Sequence, residues 1–427
     1  MKQGKQAMTK DRNLGGVDYF LLWSGAAISL AEIWAGGLMV PLGLSLGLLA
    51  IILGHLIGNT FLALGGVIGS RQEVPTMVGV RPSFGIRGSY LPSILNVVQL
   101  IGWTAVMLLI CGSAAHNLAS SYGFSHQKVW ILASGIITTL WALSGHRHWK
   151  WLHRIAVSAL LGLCVVLSIV VFHKYSITEL WKVPTTGNFS FMLGLDLVIA
   201  MPISWLPLVS DYSRFAKKSR QCFWGTWLGY FIMSSWMYAL GLAAALATAS
   251  PDPSEIVLQL MVEYGLAVPA LFVVVFSTFT TTFLDIYSAA VSSTNIFPKV
   301  SEKWTMVGGG VLGTLLALVF PVTQYENFLL FIGGMFCPIF GIVLTDYFLL
   351  RGGNYPPEAF TGEKEFSYAG GINVMALVAW IVGFGIYELG YYVSWQIGSS
   401  MPGMISAGLT YMVLMRLKMG RSLAYSN

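Results

Sequence analysis

The sequence predicts an all-α polytopic membrane protein with 12 transmembrane helices, and three observations carry that reading. The chain of 427 residues is 56% hydrophobic and only 10% charged, with a mean hydropathy of +0.70. That balance suits a chain solvated by lipid, not a soluble core. Apolar segments of the roughly 20 residues that a crossing requires recur at 18–44, 47–69, 92–117, 127–145, 152–173, 190–212, 222–248, 266–296, 305–321, 325–350, 370–392 and 397–417. With both termini cytoplasmic, 21 of the 24 Lys and Arg fall on the cytoplasmic side, all but Lys128, Lys174 and Lys182. This is the asymmetry of the positive-inside rule. The net charge of +6 is therefore a topology signal and leaves little support for nucleic-acid binding.

The first span carries Glu32 and then Ala35-Gly36-Gly37. A carboxylate at membrane depth faces a cavity or a partner and marks a functional site by default. The glycine pair predicts unwinding there, which is tolerated only where backbone lines a cavity or packs on protein. The third span carries Gln99 and Trp103, an i, i+4 pair on one helix face. The sixth, Leu193 to Tyr212, is interrupted by Pro202 and Pro207, with Ser204 and Trp205 between them where backbone departs from helix. The eighth carries Thr280, Thr281, Thr282 and Asp285. Two interrupted helices in corresponding halves of a chain point to a secondary transporter with its site between them.

The polar stretch 351–369 follows the tenth span. It divides the chain into a cytoplasmic N-terminal segment (1–17), a ten-helix transport core (18–350), a cytoplasmic loop (351–369), two further spans (370–417) and a cytoplasmic tail (418–427). Five is odd, so a repeat of spans 1–5 by spans 6–10 has inverted topology. The 15 Trp and 18 Tyr fit aromatic belts at the two interfaces. Cys111, Cys164, Cys222 and Cys337 lack metal spacing and read as packing residues. The N-terminus shows no short apolar core followed by a small-residue cleavage site, so no cleaved signal peptide is expected.

Several segments are similar to one known family. Arg81-Pro-Ser-Phe-Gly-Ile-Arg-Gly-Ser-Tyr-Leu-Pro-Ser93, Gly102-Trp103, Ser204-Trp205, Ser210-Asp211-Tyr212-Ser213-Arg214-Phe215, Thr280-Thr281-Thr282 and Thr345-Asp346-Tyr347 resemble, in order, motifs of the nucleobase–cation symporter-1 family (the purine/cytosine permease group). The resemblance implies a leucine-transporter-type 5+5 inverted repeat plus two C-terminal helices, with helices 1 and 6 broken. It implies uptake of a heterocycle coupled to sodium or protons, with no other cofactor. It also implies a cation site of carbonyls from Ile28 and Ala31, Ser277, and the Thr280 and Thr281 hydroxyls. The chain departs from cytosine permeases where they have a small polar residue at Glu32 and an Asn at Thr282. Pro202 falls where an aromatic is usual, and Gln99 is four residues before Trp103 where they have a Gln three before. The pattern is most similar to hydroxymethylpyrimidine permeases.

Each site residue has a plainer reading beside the functional one. Glu32 accepts from a ligand amino group, or pairs with protein. Asp285 binds ligand, carries a coupling proton, or accepts from backbone. Hydroxyls at 280 and 281 hold a cation, since hard cations take oxygen ligands, or bond back to the i−4 carbonyl. Trp103 with Gln99 forms a wall for a flat heterocycle, or packs between helices; Trp205 covers the opposite face, or fills the kink. Ser204 and Thr282 complete the substrate set. His55 and His116 read as isolated, Asp196 and Glu388 as near span ends and solvated, and Asp211 with Arg214 and Asp346 with Arg351 as ion pairs or gate elements.

The reading that follows is a cation-coupled importer of an aminopyrimidine, multi-pass in the cell (inner or plasma) membrane and functional as a monomer. Its partners are a small heterocycle, a monovalent cation and lipid. An enzyme is disfavoured, because no nucleophile–base pair or HExxH-type helix is present. A channel would show repeated polar rings. An amino-acid carrier needs charge balance for a carboxylate, which Glu32 and Asp285 would repel.

Overall fold

The computed structural model describes residues 12–120, 123–124, 126–144, 146–186, 189–248, 261–321 and 324–425. Most of the N-terminal segment assigned above, and the last two residues of the tail, lie outside them. Among the described residues the fold is helical, with one isolated bridge between Leu14 and Ala216.

The first span is two helices, α1 (Gly16–Ala27) and α2 (Leu30–Gly37), meeting at 58°. The break falls at Ile28 (φ −79°, ψ 86°) and Ser29 (φ −144°, ψ 156°), not at Gly36-Gly37 as the glycines predict. Ser29 causes it locally: its Oγ accepts the Glu32 N–H at 3.2 Å and caps α2. Gly36 remains helical and serves close packing instead. A Cβ there would collide with the Tyr238 backbone, and one on Gly241 would collide with the Ile33 backbone. The boundary between the first two spans moves accordingly. A 3₁₀ turn at Val40–Leu42 leads directly into α3 (Gly43–Gln72).

The chain continues through α4 (Tyr90–Ser120), α5 (Gln127–Leu143) and α6 (His146–Lys174). The sixth span is α7 (Phe191–Trp205), a 3₁₀ turn (Leu206–Leu208) and α8 (Val209–Ser213). Pro202 is accommodated inside α7, so the interruption belongs to Pro207 alone. Proline has no N–H to give the Ile203 carbonyl, and Leu206 N–H takes that carbonyl instead. Then come α9 (Ser219–Thr248), α10 (Ala267–Ile296), α11 (Glu302–Ala317), α12 (Tyr325–Leu344), α13 (Val374–Val393) and α14 (Ser400–Tyr425). By length and composition, eight helices among the described residues can cross a membrane, or nine with the bent pair counted as one.

The core is built by α9 against α1, α2 and α3, by α10 along α4, and by α7 against α3 and α12. Large apolar side chains such as Ile136, Leu140, Leu312, Leu315 and Ile381 stay more than half exposed. On a soluble surface these would be a liability; in lipid they are solvated. The two trailing helices are fixed to the core by a residue expected to be solvated. Asp196 is buried, and its carboxylate accepts the N–H groups of Ser399 (2.7 Å) and Ser400 (2.9 Å) at the start of α14.

The loop 351–369 packs rather than links. Asp346 accepts from Tyr355 Oη (2.7 Å) and Ser83 Oγ (3.0 Å) and pairs with Arg351 at 3.8 Å. Arg351 lies 4.6 Å over the Phe366 ring. Burial first, and the neighbouring Asp346 second, push the Tyr355 phenol well above its ordinary range, so it remains a donor. The other expected ion pair is not formed. Asp211 accepts the Thr76 N–H at 3.0 Å, while Arg214 turns to Tyr287 Oη at 3.0 Å and to the Asp211 carbonyl at 3.1 Å.

Candidate functional site

The interruption at Pro207 orders the centre of the molecule. Carbonyls around it lose their helical donors, and a buried carbonyl requires another. Two amides of α4 supply them. Asn96 Nδ2 donates to Pro207 O (3.3 Å) and to Ser292 Oγ (2.8 Å). Gln99 Nε2 donates to Ser204 O (3.0 Å) and to Asn96 Oδ1 (2.8 Å). With its amide nitrogen committed, Gln99 presents only its oxygen.

Four buried polar atoms of the predicted substrate set have no protein partner: Gln99 Oε1, Trp103 Nε1, Thr282 Oγ1 and Asp285 Oδ1. All lie on α4 and α10, which pack along each other. An unpaired buried group costs ~1–3 kcal/mol, so such groups are rare and call for an explanation each. The Trp103 ring meets Tyr325 and Phe328 edge-on, at interplanar angles of 79° and 68°. Trp205 meets Trp23 and Tyr230 the same way, at 80° and 64°. None of these partners stacks parallel on either indole. The Trp205 indole N–H donates to Tyr230 Oη at 2.8 Å. Ser204 is less available, because its hydroxyl donates to Met201 O at 2.6 Å.

The cation set gathers at the hinge between α1 and α2. Ser29 N–H turns to Ala27 O at 3.0 Å and away from the Gly25 carbonyl, which lies 3.3 Å from Thr280 Oγ1, a hydroxyl that is closer still to Phe276 O (2.9 Å) and Ser277 O (3.0 Å). Because Glu32 N–H is held by Ser29 Oγ, it does not take the Ile28 carbonyl. Thr281 Oγ1 donates to Ser277 O (2.8 Å), and Ser277 Oγ to Val274 O (3.2 Å). These are the back-bonds of the plainer reading. They occupy each hydroxyl's hydrogen and leave its lone pairs. The Ala31 carbonyl accepts Tyr325 Oη at 3.1 Å and keeps its second lone pair. Among the described residues, no group of three or more His, Cys, Asp or Glu could hold a metal ion.

Glu32 is buried, and both its oxygens are occupied by protein. Oε1 accepts from Tyr230 Oη at 2.6 Å and Oε2 from Ser234 Oγ at 2.7 Å. Ser234 in turn lies 2.5 Å from His55 Nε2, and His55 Nδ1 donates to Ile51 O at 2.8 Å. His55 is therefore not isolated, and Glu32 is not the open acceptor the sequence suggested. Sequence reasoning missed Asn96, His55, Tyr230, Ser234, Tyr325 and Gly25. One signal was available: Tyr230, Ser234 and Tyr238 recur every four residues, a polar stripe on one face of an otherwise apolar helix.

Apolar helices around a buried polar centre, with a broken first span, have the build of a membrane transporter. The chain matches, over residues 8–414, the family of permeases for cytosine/purines, uracil, thiamine and allantoin. It belongs to that family, whose members are permeases and not enzymes. It is 28% identical over 290 residues to the cytosine permease of Escherichia coli strain K12, a match covering 66% of this chain and 66%, about two thirds, of that one. It is 25% identical over 452 residues to the putative purine-cytosine permease YxlA of Bacillus subtilis strain 168, covering 97% of this chain and 96% of the relative. The solved structure of Mhp1, a nucleobase-cation-symport-1 family transporter in a closed conformation with bromovinylhydantoin bound, is similar with a TM-score of 0.86 at 20% identity. That likeness covers 96% of this chain and 94% of that chain and gives the fold, of leucine-transporter type.

Proposed function

We propose that the chain is a cation-coupled importer of an aminopyrimidine that works by alternating access. The observation that carries this is the set of four unpartnered polar atoms on α4 and α10. Gln99 Oε1 and an ionised Asp285 accept only, Trp103 Nε1 donates only, and Thr282 does either. An aminopyrimidine offers N–H donors at its amino edge and acceptors at its ring nitrogens, and its flat ring suits the indoles. With both Glu32 oxygens engaged by Tyr230 and Ser234, the amino edge goes to Asp285 and Gln99. Trp103 carries the ring, Trp205 covers its other face, and Ser204 contributes lone pairs.

Hydroxymethylpyrimidine, a thiamin precursor, is the first candidate, because Thr282 stands where cytosine permeases carry Asn. Cytosine is the second, supported by the relative of that name. The test is uptake of labelled hydroxymethylpyrimidine, cytosine, uracil and allantoin into vesicles, with sodium and pH gradients imposed separately. Amino-bearing pyrimidines are expected to be preferred by ~5-fold to 150-fold, the value of one satisfied donor at ~1–3 kcal/mol. Equal uptake of cytosine and uracil would remove the amino-edge assignment.

For the cation we assign sodium to the Ile28 and Ala31 carbonyls with Ser277, Thr280 and Thr281, joined by the Gly25 carbonyl 3.3 Å from Thr280 Oγ1. We take twelve crossings, adding α5, α11 and α14 to the nine that length and composition support. On this reading the chain divides at 18–350, 351–369 and 370–417, with both termini cytoplasmic and the monomer as the working unit. The charge asymmetry supports this orientation. A cysteine placed at Lys217 is expected to react with impermeant reagents only after the membrane of intact cells is opened; labelling from outside would reverse the topology.

A further inference from the structure

We infer that the groove between α3, α12 and α14 is a binding site for an anionic diacyl phospholipid of the cytoplasmic leaflet, with an acyl chain in the groove and the phosphate held by Arg71 and Arg416. The groove holds about 350 Å³, an order of magnitude above the ~30 Å³ of one water. Phe61 and Leu64 of α3 form one wall and Met404 and Leu409 of α14 the other, with Leu344 and Phe348 between them. Of the described residues that line it, Thr345 alone has a hydroxyl and none is charged. Such a surface suits a hydrocarbon chain and lacks the two to four polar partners that a bound water needs.

Local structure makes the groove. A Cβ on Gly341 would collide with the Met404 carbonyl, and one on Gly408 with Thr345 Oγ1, so α12 and α14 approach closely at its floor. Past that contact α12 gives way to a π turn, Thr345–Leu350. There the Arg351 N–H reaches back five residues to the Asp346 carbonyl, at 2.9 Å. Such turns are rare and frequently mark functional sites. α3 packs on α7 and α9, whereas α14 packs on α12 and α13. The groove is thus a seam between α3 of the core and the trailing pair. Leu349, Ile405 and Leu409 along it are more than half exposed, which leaves the seam open at the lipid-facing surface.

Two arginines continue the walls past the inner end of the groove. On α14, Ile405, Leu409, Met412 and Arg416 recur at spacings of four, three and four, the pattern of one helix face. Arg416 stands about 6 Å along the axis beyond Met412, and on α3 Arg71 stands two turns, about 10 Å, beyond Leu64. In the orientation proposed above, both lie at the cytoplasmic interface. Arg71 points toward the π turn, with Nη1 3.5 Å from Gly353 O. Both arginines are exposed, and among the described residues neither forms an ion pair. Their neighbours are committed: Arg12 to Glu73, Arg351 to Asp346 and Glu365, and Lys364 to Glu358. Guanidinium forks match phosphate oxygens, and basic pockets between helices on the cytoplasmic side take anionic headgroups. The charge names the occupant. An apolar seam alone would accept any hydrocarbon; two unpaired arginines at its cytoplasmic end select a tail that carries an anionic head.

The test is native mass spectrometry of the purified full chain in detergent, titrated with dioleoyl phosphatidylglycerol or dioleoyl phosphatidylcholine. The two lipids share their tails and differ in head charge. Neither substrate nor cation is needed, so the result is independent of the transport assignment. Arg71→Gln and Arg416→Gln are each expected to weaken phosphatidylglycerol binding about 5-fold, the value of one basic residue beside an anionic lipid. The parent should therefore prefer phosphatidylglycerol by about 25-fold, and the double variant should bind the two lipids alike. Leu409→Trp fills the groove from a half-exposed position and should weaken both lipids. Unfolding midpoints without added lipid check that each variant is folded. Equal binding of the two lipids by the parent, parental phosphatidylglycerol affinity in the double variant, or no effect of Leu409→Trp would overturn the proposal. So would acyl-free glycerophosphoglycerol competing as well as the whole lipid, which would leave a surface anion site only. A parent dimer that Leu409→Trp dissociates would give the groove to a second copy of the chain and overturn it as well.

Discussion

Asp285→Leu is expected to weaken substrate binding by one to two orders of magnitude while leaving the ligand-free protein as stable as the parent or more so. The two effects share one cause. Asp285 is buried, and its Oδ1 has no protein partner. A carboxylate in that condition is a cost to the fold, and replacing buried charges by apolar groups of similar volume is often neutral or stabilising by 1–4 kcal/mol. The same atom is the strongest acceptor available to a bound amino group. A hydrogen bond to a charged group contributes ~1.5–3 kcal/mol, so affinity should fall by roughly 10-fold to 150-fold. Asp211→Leu is the internal comparison. Asp211 accepts the Thr76 N–H, so its loss should destabilise the protein. Unfolding midpoints and equilibrium binding of labelled cytosine and hydroxymethylpyrimidine measure both arms. A lowered midpoint for Asp285→Leu would make Asp285 a structural residue and withdraw it from the site.

The residues of the candidate site could be named from the sequence because intramembrane polar residues are few. Asp285, Thr282, Gln99 and Trp103 could be named from their presence at membrane depth, and the structure leaves an unpartnered polar atom on each of them. What each side chain does there was less legible. Glu32 invited a ligand, but a carboxylate's partners depend on which helix lies opposite, and α9 brings Tyr230 and Ser234 from some two hundred residues away. The hinge shows the same limit. Gly36-Gly37 and Ser29 are both legitimate break signals; the contact of α2 with Tyr238 decides that Gly36 serves packing and Ser29 serves the break. Pro202 and Pro207 look equivalent in one dimension. Only Pro207 ends the regular helix, because the α4 amides are there to take the freed carbonyls.

Thr281→Val should abolish the sodium dependence of substrate binding and leave affinity at saturating sodium nearly unchanged. The substitution keeps shape and removes one oxygen. Its structural cost is small, because the bonds it deletes are back-bonds to Ser277 O and Thr278 O on carbonyls that also serve the helix. Coupling between two ligands is reciprocal and typically 5-fold to 150-fold, so a weakened cation site appears as lost sodium stimulation of substrate binding. Thr280→Val should do the same and also loosen the hinge, since Thr280 Oγ1 lies 3.3 Å from Gly25 O. Comparing the two variants separates cation binding from hinge anchoring. If substrate binding by the parent ignores sodium altogether, the oxygens of α10 are helix back-bonds and nothing more. The driving ion is then a proton, and Asp285, a buried carboxyl with an unpartnered oxygen, becomes its candidate carrier.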